Sequence, residues 1–190
     1  FATGTAPTFD SLGFGERGAV TYDGANDELI KGGEILINND DFSQKSFAIT
    51  LRTGNSTAGF QVIYEQSSGG LGYNFSIVDG NLYAHAYNRN SANWGASNSL
   101  RHRVLDLGSV LPNESYIIIA YHDSNVWAAE LNNGLLQSFT DAADMNSNNN
   151  SIGLGGNDGS QTRNPITLSN ENGNFDGQIA EFASWNTSLN

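Results

Sequence analysis

Apolar and polar residues exchange places at every second position over short runs of this chain, and most runs end in Gly, Asn, Asp or Ser. A period of two marks a half-buried strand, because successive strand side chains point to opposite faces. AVTYDG (Ala19–Gly24) reads as a strand running into a turn. SFAITLRTG (Ser46–Gly54) puts Phe47, Ile49 and Leu51 on one face, and GFQVIYEQ (Gly59–Gln66) follows as the next strand. GYNFSIVDGNLYAHAYN (Gly72–Asn88) predicts two strands around Asp79-Gly80, a strong short-range hairpin signal. ESYIIIAYHDSNVWAAELNNGLLQSF (Glu114–Phe139) predicts three short strands, with turns at His122–Asn125 and Asn133-Gly134. SIGLGG (Ser151–Gly156) and FDGQIAEFASW (Phe175–Trp185) complete the set.

Between these runs, residues 1–18 read as an opening strand and loop. SFTDAADMNSN (Ser138–Asn148) hints at a short helical turn capped by Thr140 or Asp141. Ser91–Arg101 and Asn157–Asn174 read as long polar loops, which in a compact domain are usually functional or mobile. About ten or more strands with no convincing helix exceed an immunoglobulin-type sandwich. They suit an all-β jelly roll, an antiparallel β-sandwich of two packed sheets, formed by residues 1–190 as one domain.

Composition narrows the partners. The 190 residues carry a formal net charge of -12. That charge argues against nucleic acid, which calls for a basic face, and against anionic membrane surfaces. It suits a hard cation held by carboxylates and carbonyls. No apolar run approaches membrane-spanning length, so membrane insertion is not expected. The chain has no cysteine. That fits a cytosolic protein, or a bacterial extracellular one stabilised by a large core and metal. Abundant Asn, Gly and Ser with few Lys and Arg resemble secreted bacterial surface proteins. The first residue is Phe1 rather than Met, which suggests a domain excised from a larger protein with neighbouring domains.

Taken in order, VTYDGANDELI, SFAITLRT, GYNFSIVDGNLYAHAYN, YIIIAYHDSNVWAAELNNG and SIGLGGN…FDGQIAEFASWNTSLN resemble successive strands and turns of laminin G-like domains of the concanavalin A-like lectin/glucanase superfamily. The likeness runs from about Val20 to the end. It implies a concanavalin A-like sandwich whose last strand returns beside the first, with Ile179, Phe182 or Trp185 filling the space between the sheets. It also implies a habit of extracellular binding. A fold does not name its ligand.

Two groups of residues carry candidate chemistry. The acidic turns place Asp23, Asn26, Asp27 and Glu28 in one turn, Asn157 and Asp158 in another, and Asp176 at the start of the closing strand. Calcium takes six to eight oxygens, which short acidic turns supply readily. The superfamily often holds a calcium at the sheet rim between the first turn and the closing strand. Relatives often have Asp where this chain has Ala180, and the same residues also serve simply as turn formers. The expected metal set is therefore Asp23, Asn26, Asp27, Asn157, Asp158 and Asp176.

The second group is Tyr83, His85 and Tyr87, which share one strand face, continued by Arg89, with Trp94 in the loop beyond. A concave sheet bearing these side chains suits sugars, whose CH faces meet aromatic rings and whose hydroxyls meet polar groups. The alternative is a solvent face of cross-strand aromatic pairs.

His85, His102 and His122 stand alone in separate elements, with no metal-ligand spacing. GLGGNDG precedes no helix and is no dinucleotide motif. The Glu-x-Asp-x-x-Glu segment of retaining glucanases of this superfamily is absent, as are the Arg- and Tyr-bearing signatures of jelly-roll lyases and any Gly-x-Ser-x-Gly elbow. The leading expectation is a non-catalytic carbohydrate-binding, lectin-like module of a secreted or cell-surface bacterial protein, an adhesin, with calcium assisting. The rival is a protein-binding or structural domain of the same fold, and a polysaccharide hydrolase or lyase ranks below both.

Overall fold

A computed structural model of the chain describes residues 6–15, 17–32, 41–68, 70–88, 102–140, 144–147, 151–157 and 162–188. Among them the regular structure is all strand. The strands in chain order are β1 (Thr8–Phe14), β2 (Arg17–Asp23), β3 (Leu29–Lys31), β4 (Gln44–Thr53), β5 (Phe60–Ser68), β6 (Leu71–Val78), β7 (Asn81–Asn88) and β8 (His102–Ser109). They continue as β9 (Ser115–Asp123), β10 (Val126–Leu131), β11 (Gln137–Phe139), β12 (Ile152–Leu154), β13 (Thr162–Arg163), β14 (Asn170–Glu171) and β15 (Asp176–Trp185).

These strands form two antiparallel sheets that enclose the core. One runs β1-β2-β15-β4-β9-β10-β11 and the other β3-β12-β5-β6-β7-β8. β13 and β14 pair only with each other. The closing strand is thus central, between β2 and β4. The alternation explains what fills the space between the sheets. Phe47, Ile49 and Leu51 from β4 face Tyr73, Phe75 and Ile77 from β6, and all are buried. Phe47 sits at the centre of an aromatic cluster, 5.2 Å from Tyr73 and 5.4 Å from Phe75, ring centroid to centroid. Such tilted and edge-on contacts stabilise beyond the area they bury.

The Asp79-Gly80 turn takes positive φ at both residues, the geometry that matches strand twist in a two-residue hairpin. It joins β6 to β7 in the register expected from the sequence.

Several expectations need correction. Ser138 and Phe139 lie in β11 rather than in a helical turn, and Met145 bridges Phe42. Residues 141–143 and Asn148 of that stretch lie outside the described residues. Ser91–Arg101 lies outside them as well. The stretch Asn157–Asn174 contains the β13–β14 hairpin rather than loop alone. Trp185 does not feed the core and is 40% exposed. A bulge between Ile179 and Glu181 adds one residue to β15. Ile179 therefore sits opposite Leu51 and Phe182 opposite Ile49, while Glu181 points outward. The extra residue reverses the alternation for the rest of the strand, so Phe182 faces inward and Trp185 outward.

Candidate functional site

Pairing of β2 with β15 sets Asp23 directly opposite Asp176 at one rim of the sandwich. The turn after β2 is shaped by its own acids. Asp23 Oδ1 accepts from the Ala25 and Asn26 amides at 2.9 and 3.3 Å. These bonds hold the Asp23 carboxyl below its ordinary range, so it stays ionised. Asp27 is buried and turns back, its Oδ2 accepting from the Asp23 amide at 3.1 Å.

Asp176 is held from the other side. Its amide donates to Gln61 Oε1 at 3.1 Å, and its Oδ2 accepts from the Ser56 amide at 3.0 Å. Glycine at position 54 makes room for the Asp176 carboxylate, which a Cβ there would overlap. Asn157, also buried, ties the third wall together. Its Oδ1 accepts from the Gly173 amide at 2.8 Å, and its Nδ2 donates to Glu65 Oε2 at 3.3 Å.

The result is an open cleft of about 720 Å³ at the rim. Asp23, Glu28, Gln61, Asn157, Asn174 and Asp176 give it carboxylates and amides, and Phe60 gives it one aromatic surface. A smaller depression of about 270 Å³ lies on the other side of Asp176, lined by Arg52, Asn55, Asn113 and Gln178 among others. Arg52 Nε donates to the Asn113 carbonyl there at 3.0 Å.

Of the expected metal set, Asp23, Asn157 and Asp176 meet at the cleft. Asp27 is committed to capping its own turn, Asn26 is not part of the lining, and Asp158 lies outside the described residues. Among the described residues, no three His, Cys, Asp or Glu side chains converge closely enough to cage a metal ion.

Tyr83, His85 and Tyr87 do share one face of β7, opposite the core residues Leu82, Ala84 and Ala86. That face is not open, which corrects the expectation of an exposed concave surface. All three side chains are buried. The β13–β14 hairpin lies over His85 and Tyr87, with Thr162 Oγ1 3.2 Å from the Tyr87 hydroxyl and the Arg163 backbone beside His85. Arg89 and Trp94 lie outside the described residues. Phe60, Gln61, Asn172 and Asn174 were not anticipated. Their only sequence signal is proximity to Gly59 and the amide-rich approach Asn172-Gly173-Asn174 to the closing strand.

No protein-family model matches the chain, and no curated protein matches it. Solved structures do. The binding domain of botulinum neurotoxin serotype G superposes with a TM-score of 0.66 at 15% identity, covering 100% of this chain and 43% of that one. Domains LG4-5 of the mouse laminin alpha1 chain superpose with a TM-score of 0.58 at 14% identity, covering 90% and 44%. The fold is laminin G-like. A botulinum neurotoxin type C structure, whose cell entry depends on interaction with two ganglioside molecules, superposes on this laminin G-like sandwich at 0.63. It is 9% identical and covers 97% of this chain and 42% of that one. The chain thus spans less than half the length of each of these structures.

Proposed function

We propose that this laminin G-like domain is a non-catalytic carbohydrate-binding module and that the rim cleft takes the glycan. The observation that carries the reading is the chemistry of the cleft lining. Carboxylates and amides can accept from and donate to sugar hydroxyls, and the Phe60 ring offers a surface for a CH face. An open cleft of this kind suits shallow, reversible binding. The type C neurotoxin, whose cell entry depends on interaction with two ganglioside molecules, contains a sandwich of this fold, which lends support to the reading. The wider setting we propose is a bacterial secreted or cell-surface protein, an adhesin, in which this module joins neighbouring domains. The rival reading, protein or peptide binding, is favoured by the exposed Leu135 and Leu136, just before the edge strand β11, and the exposed Phe139 within it.

A glycan array separates the two, followed by calorimetric titration of the parent and an Asn172→Ala variant. Asn172 is exposed and lines the cleft, so its loss leaves the fold intact. Affinity is expected to fall by about 1 kcal/mol, the scale of one lost hydrogen bond. No binding across the array, or equal affinity in the variant, would count against the cleft.

Calcium belongs to the same proposal as a bridge between the cleft carboxylates and sugar hydroxyls. A cation that binds only the native state adds RT ln(1 + [Ca]/Kd), about 2.7 kcal/mol at a hundredfold excess over Kd. The melting temperature is therefore expected to fall when chelator replaces millimolar calcium, and identical melts would remove calcium from the account.

A further inference from the structure

The hairpin that covers β7 is built unlike the rest of the molecule. β13 and β14 pair with each other and with neither main sheet. Within the hairpin, Asn164 Oδ1 accepts from the Ile166 and Thr167 amides, Asn164 Nδ2 donates to Glu171 Oε2, and Arg163 Nη1 donates to the Leu168 carbonyl. It therefore holds its own shape without help from the sheet. Its grip on the sheet runs through polar groups. Asn74 Nδ2 donates to the Arg163 carbonyl at 2.8 Å, and the Tyr87 hydroxyl meets Thr162 Oγ1. Of its aliphatic side chains, Ile166 is 54% exposed and Leu168 half-buried, while Pro165 is buried. Regions held by few apolar contacts open at low free-energy cost.

Beneath it lies a layer of buried polar and aromatic side chains, Glu65, Asn74, His85 and Tyr87, which Tyr83 continues along β7. In a purely structural polar layer the buried groups are satisfied. His85 is fully buried, and neither of its ring nitrogens makes a well-formed hydrogen bond, the Arg163 backbone offering only a marginal approach. Water or a ligand would supply what the closed form withholds. This layer is continuous with the rim cleft through Asn157, which lines the cleft and donates to Glu65.

We propose that the Thr162–Glu171 hairpin is a cover that lifts on acidification, and that the face beneath it is a glycan-binding surface extending the rim cleft. The glycan half of this proposal rests on the function proposed above, and the cover half does not.

The proton link follows from the surroundings of His85. Burial pushes its pKa well below the ordinary value, His102 and the Arg163 guanidinium push the same way, and the Arg163 backbone opposes them. The charged and titratable groups around it are Tyr83 and Tyr87 on β7, His102 on β8, Glu65 on β5, and Arg163 and Glu171 on the hairpin. In the closed form the ring stays neutral, and once the cover lifts burial and the Arg163 guanidinium no longer hold its pKa down, so it returns toward the ordinary value of about 6.5. Protons therefore bind the open form preferentially as pH falls below about 6.5, shifting the equilibrium toward opening by up to tenfold per pH unit.

Amide hydrogen exchange over residues 162–173 tests the cover, read relative to β4 amides and corrected for intrinsic rates. The parent is expected to lose about tenfold in relative protection between pH 7.5 and 5.5, one proton's worth of linkage. His85→Phe should abolish that change. Should His85→Phe fail to fold, Asn74→Ala, which removes the bond to the Arg163 carbonyl, is expected to lower protection at both pH values. A constant ratio between hairpin and β4 in the parent, or an undiminished pH response in His85→Phe, overturns the cover. A glycan array of neutral and sialylated oligosaccharides at both pH values tests the surface beneath. Longer oligosaccharides should bind about tenfold more tightly at pH 5.5 in the parent but not in His85→Phe, by the same linkage. Equal binding at both pH values overturns the extended surface while the exchange result decides the cover. Binding of no glycan at either pH overturns the proposed function itself.

Discussion

Replacing Gly155 with alanine is expected to destabilise the domain by about 2–5 kcal/mol, combining left-handed backbone strain with overpacking. Gly155 has φ +79°, and a Cβ there would overlap the Tyr22 ring. Tyr22 cannot easily withdraw, because it is buried and packs against Phe175 with ring centroids 6.3 Å apart. The backbone is fixed too, with the Gly155 amide on the Ile63 carbonyl at 2.8 Å and the Phe175 amide on the Gly155 carbonyl at 2.9 Å. These bonds tie β12 and the closing strand to β5, so the strain falls on the wall behind the rim cleft. Urea denaturation measures the loss. In a Tyr22→Ala background the same change should cost less, because the clash is gone and only the strain remains. A loss below about 1 kcal/mol in the parent would show that the turn relaxes freely.

The second large effect lies at the opposite end of the core. Lys45 precedes Phe47 by two residues on β4, so its stem points between the sheets, and it is fully buried. Its Nζ donates to Asn186 Oδ1 at 3.2 Å and sits 3.9 Å from the centre of the Phe42 ring. Burial pulls its pKa down from the ordinary 10.5 to about 7. Between those values the unfolded chain carries the proton and the folded chain does not, so stability rises with pH. The gain from pH 7 to 9.5 has an upper bound of about 3 kcal/mol at 1.36 kcal/mol per unit. Contact with Phe42 favours the charged form and trims that figure. Lys45→Met should be more stable than the parent at pH 7 and should lose the upward slope. Parallel stability curves for the two proteins from pH 7 to 9.5 would show that the ammonium is well solvated in the fold.

Where apolar and polar residues alternate without interruption, the fold was legible. β4 and the β6–β7 hairpin follow directly from Phe47-x-Ile49-x-Leu51 and from Asp79-Gly80. β8 was not recognised because its inward row carries Arg103 beside Leu105 and its outward row carries Val104, which blurs the contrast. β3, β13 and β14 are too short to show a period. The reversal at the β15 bulge is a backbone event, and one residue more or less leaves no mark in composition.

The candidate site divides in the same way. That Tyr83, His85 and Tyr87 share a face follows from period two alone. That a hairpin from the far end of the chain covers them does not, because Asn74–Arg163 and Tyr87–Thr162 are long-range polar contacts. Asp23 and Asp176 could be grouped from the resemblance to rim-calcium sandwiches. The inward turn of Asp27 depended on which carboxylate captured the Asp23 amide, a choice that local sequence leaves open.

The most direct test of the cleft as a glycan site is a ¹⁵N-resolved NMR titration of the domain with the strongest oligosaccharide from the array. The account predicts that the side-chain amides of Gln61, Asn157, Asn172 and Asn174 shift and saturate together, with the Asp23 and Asp176 backbone amides following. Saturable shifts confined to β9–β11, or no shift at saturating oligosaccharide, would contradict it.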